Sequence, residues 1–275
     1  MIGFYAMCLT IVFTGLTCLT SAQSITIKQG FAHNDYLHKR PLFDALENGF
    51  VNIEADIFLQ NNTLVIAHWF PFFKGKRTLE NLYFAPLNNY LQLHSTDSIP
   101  FQFPITLFID IKSSPKNTYL ALRSLLNKYS NILTSYENGV IKQGKVNIVI
   151  TGRKPVELIK KEHKRFVMMD DMLNGDDTSV NNSLYASASC KYSHILSWNG
   201  NGRISDKEKN KLQDLVTIAH SQGKKARLWA SPENNKVRTE LIACGVDYIV
   251  TDKLIELKQY LLNVKERSML FVKNN

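Results

Sequence analysis

Residues 51–59 read VNIEADIFL, and residues 105–112 read ITLFIDIK. Side chains of a strand point alternately to its two faces. Val51, Ile53, Ala55, Ile57 and Leu59 therefore make one apolar row, and Asn52, Glu54 and Asp56 make the other. The second segment repeats the design, with Ile105, Leu107, Ile109 and Ile111 on one face and Asp110 and Lys112 on the opposite one. In a barrel of parallel strands the apolar row packs beneath the helices and the polar row points inward. Both polar sets fall toward the C-terminal ends of their strands, the end where barrel active sites are assembled.

The rest of the chain fits the same architecture. Further strand-like runs lie at residues 25–33, 146–152, 165–170, 194–200, 225–231 and 247–252, and helical patterns fill most of the gaps between them. The helices carry start and stop signals: Pro155 early in one, Ser205 as an N-cap, and Gly49, Gly223 and Gly245 as terminators. Strand–helix alternation implies parallel strands joined by crossover helices. Eight strands in about 250 residues predict a single-domain α/β fold, a (β/α)8 TIM barrel over residues 25–265. An open doubly wound sheet is the alternative, weakened because no glycine-rich phosphate loop occurs. Residues 171–192 read as a long loop or irregular helix. Residues 60–68 read as a hairpin insertion turning at Asn61 and Asn62.

Ahead of this domain, no acidic or basic side chain occurs before Lys28. Residues 1–22 form an apolar run ending in small residues, which reads as a secretory signal peptide cut after Ala22; an uncleaved membrane anchor is the alternative. The body of the protein is therefore expected to be exported, secreted or periplasmic. Its 33 Lys and Arg against 24 Asp and Glu give a net charge of +9. Such a balance favours anionic partners, phosphate esters or an acidic membrane surface among them. No basic stripe interleaved with aromatics appears, so nucleic acid is not an expected partner. Of the four cysteines only Cys190 and Cys244 follow the leader. They lack the spacing of a zinc site, and an exported chain allows them to pair.

Three carboxylates converging on a barrel mouth repel one another unless a positive charge holds them. Lys112 supplies one. A hard divalent cation suits oxygen donors better, so Glu54, Asp56 and Asp110 are read as ligands for Mg²⁺ or Ca²⁺, with Mn²⁺ also admitted. His33 ends the first strand and His68 ends the hairpin strand. Beside a metal they read as a general acid/base pair, one handling the proton of an attacking hydroxyl and the other protonating a leaving oxygen. Arg153, after the fourth strand, is read as a second contact to phosphate or as a surface ion pair. Trp198, Asn199 and Trp229 are placed at late strand ends, and Asp252 at the end of the eighth, where it caps the next helix or reaches the site.

The stretch from His33 to His68, followed by LFIDIK at residues 107–112, resembles the PLC-like phosphodiesterase superfamily of TIM barrels. That superfamily includes glycerophosphodiester phosphodiesterases, phosphatidylinositol-specific phospholipases C and sphingomyelinase D toxins. HNDY, RPLFDAL, SWNGNGR, RLWASP and GVDYIVTD are similar to its branch called altered inheritance of mitochondria protein 6. The resemblance implies a metal-dependent phosphoric diester hydrolase. It carries over His33 and His68 as catalytic pair, Glu54, Asp56 and Asp110 as metal ligands, and Lys112 as a phosphate contact, with a tryptophan as wall against the leaving group. The chain departs from the glycerophosphodiesterase pattern: Asn34 and Asp35 stand where Arg-Gly is usual, and Trp69 where Asp follows the second histidine. Asn34 offers phosphate an amide without charge, so a preference for glycerol is not implied. Asp110, where many of those enzymes have Glu, gives a D-x-K form closer to sphingomyelinase D. A non-catalytic barrel that binds phospholipid or phosphosugar and a phosphomonoesterase are the rival readings.

Overall fold

A computed structural model describes residues 26–69, 77–93, 104–175 and 184–273, with side chains up to residue 266. The expected signal peptide at residues 1–22 lies outside the described residues. Eight parallel strands form a nearly closed barrel: β1 (Ile27–Ala32), β2 (Phe50–Gln60), β3 (Ile105–Ile111), β4 (Val146–Gly152), β5 (Val167–Met172), β6 (Tyr185–Lys191), β7 (Lys225–Trp229) and β8 (Ile249–Thr251). They pair in chain order, and β8 pairs with β1. A single parallel bridge, Arg227 to Tyr248, draws β7 toward β8 at the remaining seam. The strand–helix alternation thus produces the barrel expected from it.

Most units carry an outer helix: α1 (Phe43–Glu47), α2 (Ala85–Leu93), α3 (Pro115–Lys128), α4 (Val156–Lys160), α5 (Asp206–Ser221), α6 (Asn235–Ala243) and α7 (Leu254–Lys273). Their ends obey local chemistry. Ser205 caps α5 by accepting a hydrogen bond from the Glu208 amide at 3.3 Å, while its hydroxyl donates to Glu208 Oε2 at 2.9 Å. Leu212, Val216 and Ala219, spaced along one face of α5, are buried. Pro155 proves to be the N-cap of α4 rather than a residue within it. Among the described residues no helix is long and apolar enough to cross a membrane.

The inside–outside alternation read from residues 51–59 and 105–112 is present. Val51, Ile53, Ala55 and Ile57 join Ile105, Leu107, Ile109 and Ile111 in the core between sheet and helices. A separate apolar plug of Phe31, Phe108, Val149, Tyr248 and Val250 fills the lumen. Phe31 and Phe108 meet edge to face with centroids 4.7 Å apart, and Tyr248 stands 5.6 Å from Phe108. Such pairs contribute about 0.5–1.5 kcal/mol beyond their burial. The plug closes the floor on which the polar cluster rests.

The hairpin after β2 also forms. Residues Thr63–Ile66 run antiparallel to its last turn of strand, and Asn61 and Asn62 take φ of 47° and 61°. Two consecutive left-handed residues make the tight turn that matches strand twist, and asparagine tolerates them.

One strand differs from the expectation. β6 is Tyr185–Lys191, within the segment read as loop; a 3-10 turn, Tyr192–His194, follows it, and residues 195–200 are irregular chain. The reason lies in the composition of YASASCK. Its inward residues Ser187 and Ser189 are small and polar because they serve a buried carboxylate, so the run lacks a strand's usual apolar weight. Cys190 and Cys244 are both free thiols, and no disulfide joins them. Burial pushes the Cys190 thiol up to about 11.

Candidate active site

The polar rows of β2 and β3 place Asp56 level with Asp110, and Glu54 level with Phe108 one layer deeper. His33 follows β1, its backbone N–H bonded to Thr251 O at 3.0 Å, which aligns it with the end of β8. There Asp252 Oδ1 lies 2.8 Å from His33 Nδ1. The other ring nitrogen, Nε2, is 3.4 Å from Glu54 Oε2. A carboxylate at Nδ1 draws the ring proton to that nitrogen and orients the ring. Burial alone would lower the His33 pKa, but the Asp252 hydrogen bond and the Glu54 charge outweigh it and raise it. Asn34 Nδ2 completes the corner, 2.9 Å from His33 Nδ1 and donating to Asp252 Oδ1 at 3.4 Å.

His68 follows the hairpin strand and is built in the same way. Its Nδ1 lies 3.0 Å from Asp56 Oδ2. Tyr36, buried on the turn after β1, ties the two halves together. Its hydroxyl stands 2.7 Å from Asn34 Oδ1, 2.9 Å from Asp56 Oδ2 and 3.2 Å from His68 Nδ1. Burial, and then the Asp56 charge, push the phenol far above its ordinary pKa, so it stays a neutral donor. Trp69 packs edge-on against the His68 ring at 4.9 Å and is 79% exposed.

Two cations enter this acidic group. Lys112 Nζ donates to Asp110 Oδ2 at 2.9 Å and lies 3.3 Å from Asp56 Oδ2. Arg227, on β7, donates from Nη1 to Glu54 Oε1 and from Nη2 to Asp170 Oδ2, each at 3.2 Å. Burial raises the pKa of both Glu54 and Asp56, against the pull of Arg227 on the first and of Lys112 on the second.

Glu54, Asp56, Asp110, Asp170 and Asp252 thus share two fixed cations, which leaves three negative charges when both imidazoles are neutral. In donor chemistry and charge this set fits a hard divalent ion. As placed, the carboxylates are drawn onto Lys112 and Arg227. Among the described residues no three His, Cys, Asp or Glu side chains are arranged to hold a metal.

Of the residues singled out from sequence, His33, Asn34, Glu54, Asp56, His68, Asp110 and Lys112 come together. Arg153 is exposed at the end of β4. Trp229 ends β7, 40% exposed, with Lys191 Nζ 5.9 Å from its ring centre. Trp198 and Asn199 lie beyond the 3-10 turn that follows β6, not at a strand end. Trp198 Nε1 donates to Asn201 O at 2.8 Å, and Asn199 O accepts from Asn234 Nδ2 at 3.0 Å. Asp252 reaches the site rather than only capping a helix. Sequence reasoning missed Tyr36, Asp170 and Arg227. Arg227 precedes inward Trp229 by two residues, so strand alternation already placed it in the lumen.

The fold and site together define a parallel α/β barrel whose mouth gathers two histidines, five carboxylates and two cationic side chains. The chain belongs to the AIM6-like phosphodiesterase domain family, whose model matches residues 20–170, more than half its length. It is 27% identical over 265 residues to altered inheritance of mitochondria protein 6 of Eremothecium gossypii, covering 83% of this chain and 68% of that one. To the protein of the same name from Lachancea thermotolerans it is 29% identical over 274 residues, covering 82% of this chain and 64% of the relative. The chain spans about two thirds of the length of these relatives. No solved structure matches it.

Proposed function

We propose that this barrel hydrolyses phosphoric diesters, with His33 and His68 as the acid/base pair and Glu54, Asp56 and Asp110 holding a divalent cation, Mg²⁺ or Ca²⁺. The observation that carries the reading is the pair of carboxylate-backed imidazoles, His33 with Asp252 and His68 with Asp56, bordering one acidic cluster. A histidine held by a carboxylate at Nδ1 leaves Nε2 for a substrate proton. A barrel that only bound its ligand would need neither imidazole so oriented. The phosphodiesterase family supports the same class of reaction.

One imidazole removes the proton from an attacking hydroxyl or water while the other protonates the leaving oxygen. Lys112 and Asn34 bind non-bridging phosphoryl oxygens, and charge building on those oxygens is stabilised at the Lys112 ammonium. A bound cation would add Lewis-acid stabilisation at the same oxygens. Arg153 contributes a further phosphate contact, and Trp229, at the end of β7, forms the wall against the alcohol group. The PLC-like barrels, by motif, are the superfamily in which we place this chemistry. The apolar leader is read as an export signal, and the net positive charge suits an acidic lipid surface near the substrate.

The test compares bis(p-nitrophenyl) phosphate with p-nitrophenyl phosphate, each with and without a chelator. Chelator-sensitive cleavage of the diester is expected. Preference for the monoester would make the protein a phosphomonoesterase. Cleavage of neither with Mg²⁺, Ca²⁺ or Mn²⁺ would leave the binding barrel. His33→Ala and Glu54→Ala are each expected to abolish diester cleavage with an unchanged far-UV CD spectrum. A panel of glycerophosphodiesters, phosphoinositides, sphingomyelin and lysophospholipids then identifies the substrate.

A further inference from the structure

We infer that Arg227 is a positioning residue for Glu54, fixing from beneath which carboxylate oxygen is presented to His33 and to a bound cation. The inference rests on the proposed place of Glu54 in the site. Arg227 is 3% exposed, and its guanidinium is held from three directions. Below, Asp170 takes Nη2, and Asp170 is itself pinned by Ser187 Oγ on Oδ1 at 2.5 Å and by Ser189 Oγ on Oδ2. At the sides, the guanidinium carbon lies 4.5 Å from the Phe31 ring centre and 5.5 Å from that of Phe108. Above, Nη1 takes Glu54 Oε1, so that Oε2 is the oxygen facing His33.

Stability does not explain this arrangement. Burying an ion network costs solvation of each charge, and well-packed apolar side chains of similar size do as well or better. Arg227 Nε is moreover buried without a hydrogen-bond partner among the described residues, a further cost. What a rigid, planar fork between two carboxylates supplies is orientation. Glu54 is deep in the barrel and would otherwise choose among rotamers, and a lysine at 227 keeps the charge but loses the fork.

The experiment uses the purified full chain, with Mn²⁺ binding followed by EPR, diester turnover and thermal melting. Arg227→Lys is expected to fold and to melt near wild type. It should lose about tenfold or more in kcat with KM within about twofold, and bind Mn²⁺ several-fold more weakly, the range typical of residues that orient a ligand side chain. Asp170→Asn, which loosens Arg227 without touching Glu54, should shift the same two quantities in the same direction. In a double-mutant cycle, Arg227→Lys should cost no further Mn²⁺ affinity once Glu54→Gln is in place. Losses that multiply in the cycle, or an Arg227→Lys protein with normal turnover and Mn²⁺ binding while Glu54→Gln is crippled, would overturn the inference alone. A Glu54→Gln protein that binds Mn²⁺ and turns over normally would overturn the site reading, and the inference with it.

Discussion

His33 Nδ1 and Asp252 Oδ1 are 2.8 Å apart although 219 residues separate them in the chain. The contact spans the seam where β1 pairs with β8, Ala32 opposite Thr251. It turns two strand ends into one orienting pair. Asp252→Asn is expected to lower kcat for diester cleavage about 10–100-fold, since a neutral amide can turn its NH2 to Nδ1 and no longer fixes the ring tautomer with a charge. Asp252 is more than half exposed, so melting and far-UV CD should stay close to wild type. Undiminished turnover would show that the pairing is incidental.

Tyr36 reaches Asn34, Asp56 and His68 with one hydroxyl. Tyr36→Phe keeps the buried ring and removes that link. The lost hydrogen bonds should cost about 1–2 kcal/mol of stability in urea denaturation. Turnover should fall about tenfold as His68 loses its brace. Both effects are measured on one variant, and a stability loss with normal turnover would confine the Tyr36 hydroxyl to a structural role.

Gly152 lets Asp110 into its place. Its φ is +67°, and a Cβ there would stand 2.0 Å from Asp110 Oδ1 and 2.8 Å from Ile111 O. Gly152→Ala should cost more than the roughly 1–2 kcal/mol of a left-handed alanine alone, and should displace Asp110 enough to depress turnover. Gly139, also left-handed at φ +81° but with nothing within 4 Å of such a Cβ, is the control. Its alanine variant should lose the backbone term only and keep full activity.

Asp35 is fully buried beneath the turn that carries Asn34 and Tyr36. Its Oδ2 accepts the Leu42 N–H at 2.6 Å and the Tyr83 hydroxyl at 2.9 Å, while Oδ1 has no partner among the described residues. Burial raises its pKa from 3.8 to about 6, against the pull of those hydrogen bonds. The folded state therefore binds the proton more tightly than the unfolded chain does. The stability this gives is fully present below about pH 4 and is lost as pH rises through 6, on the order of 3 kcal/mol in all. Asp35→Asn can keep its oxygen on both donors and turn its amide to the Oδ1 side. That variant should melt at or above the wild-type temperature at pH 7.5, and the contribution lost between pH 4 and 6 should disappear from its stability profile. An unchanged pH profile would remove Asp35 as its source.

Much of this site was legible along the chain because strand periodicity is local. Alternation in residues 51–59 and 105–112 set Glu54, Asp56 and Asp110 on the inward face before any contact was known, and Asn61–Asn62 announced the hairpin that carries His68. β6 was hidden because its inward positions were spent on serines that serve Asp170, leaving little apolar signal. Tyr36 was hidden because the turn after β1 has no period to read.

For β2 and β3, then, the sequence by itself determined which side chains face the lumen, since a backbone that alternates every residue admits no other assignment once one face is apolar. Which carboxylate meets which base was decided only when the barrel closed. Glu54 and Arg227 are 173 residues apart, and His33 and Asp252 still farther. Those partnerships depend on strand stagger and on the seam between the first and last strands, distances that no local pattern encodes.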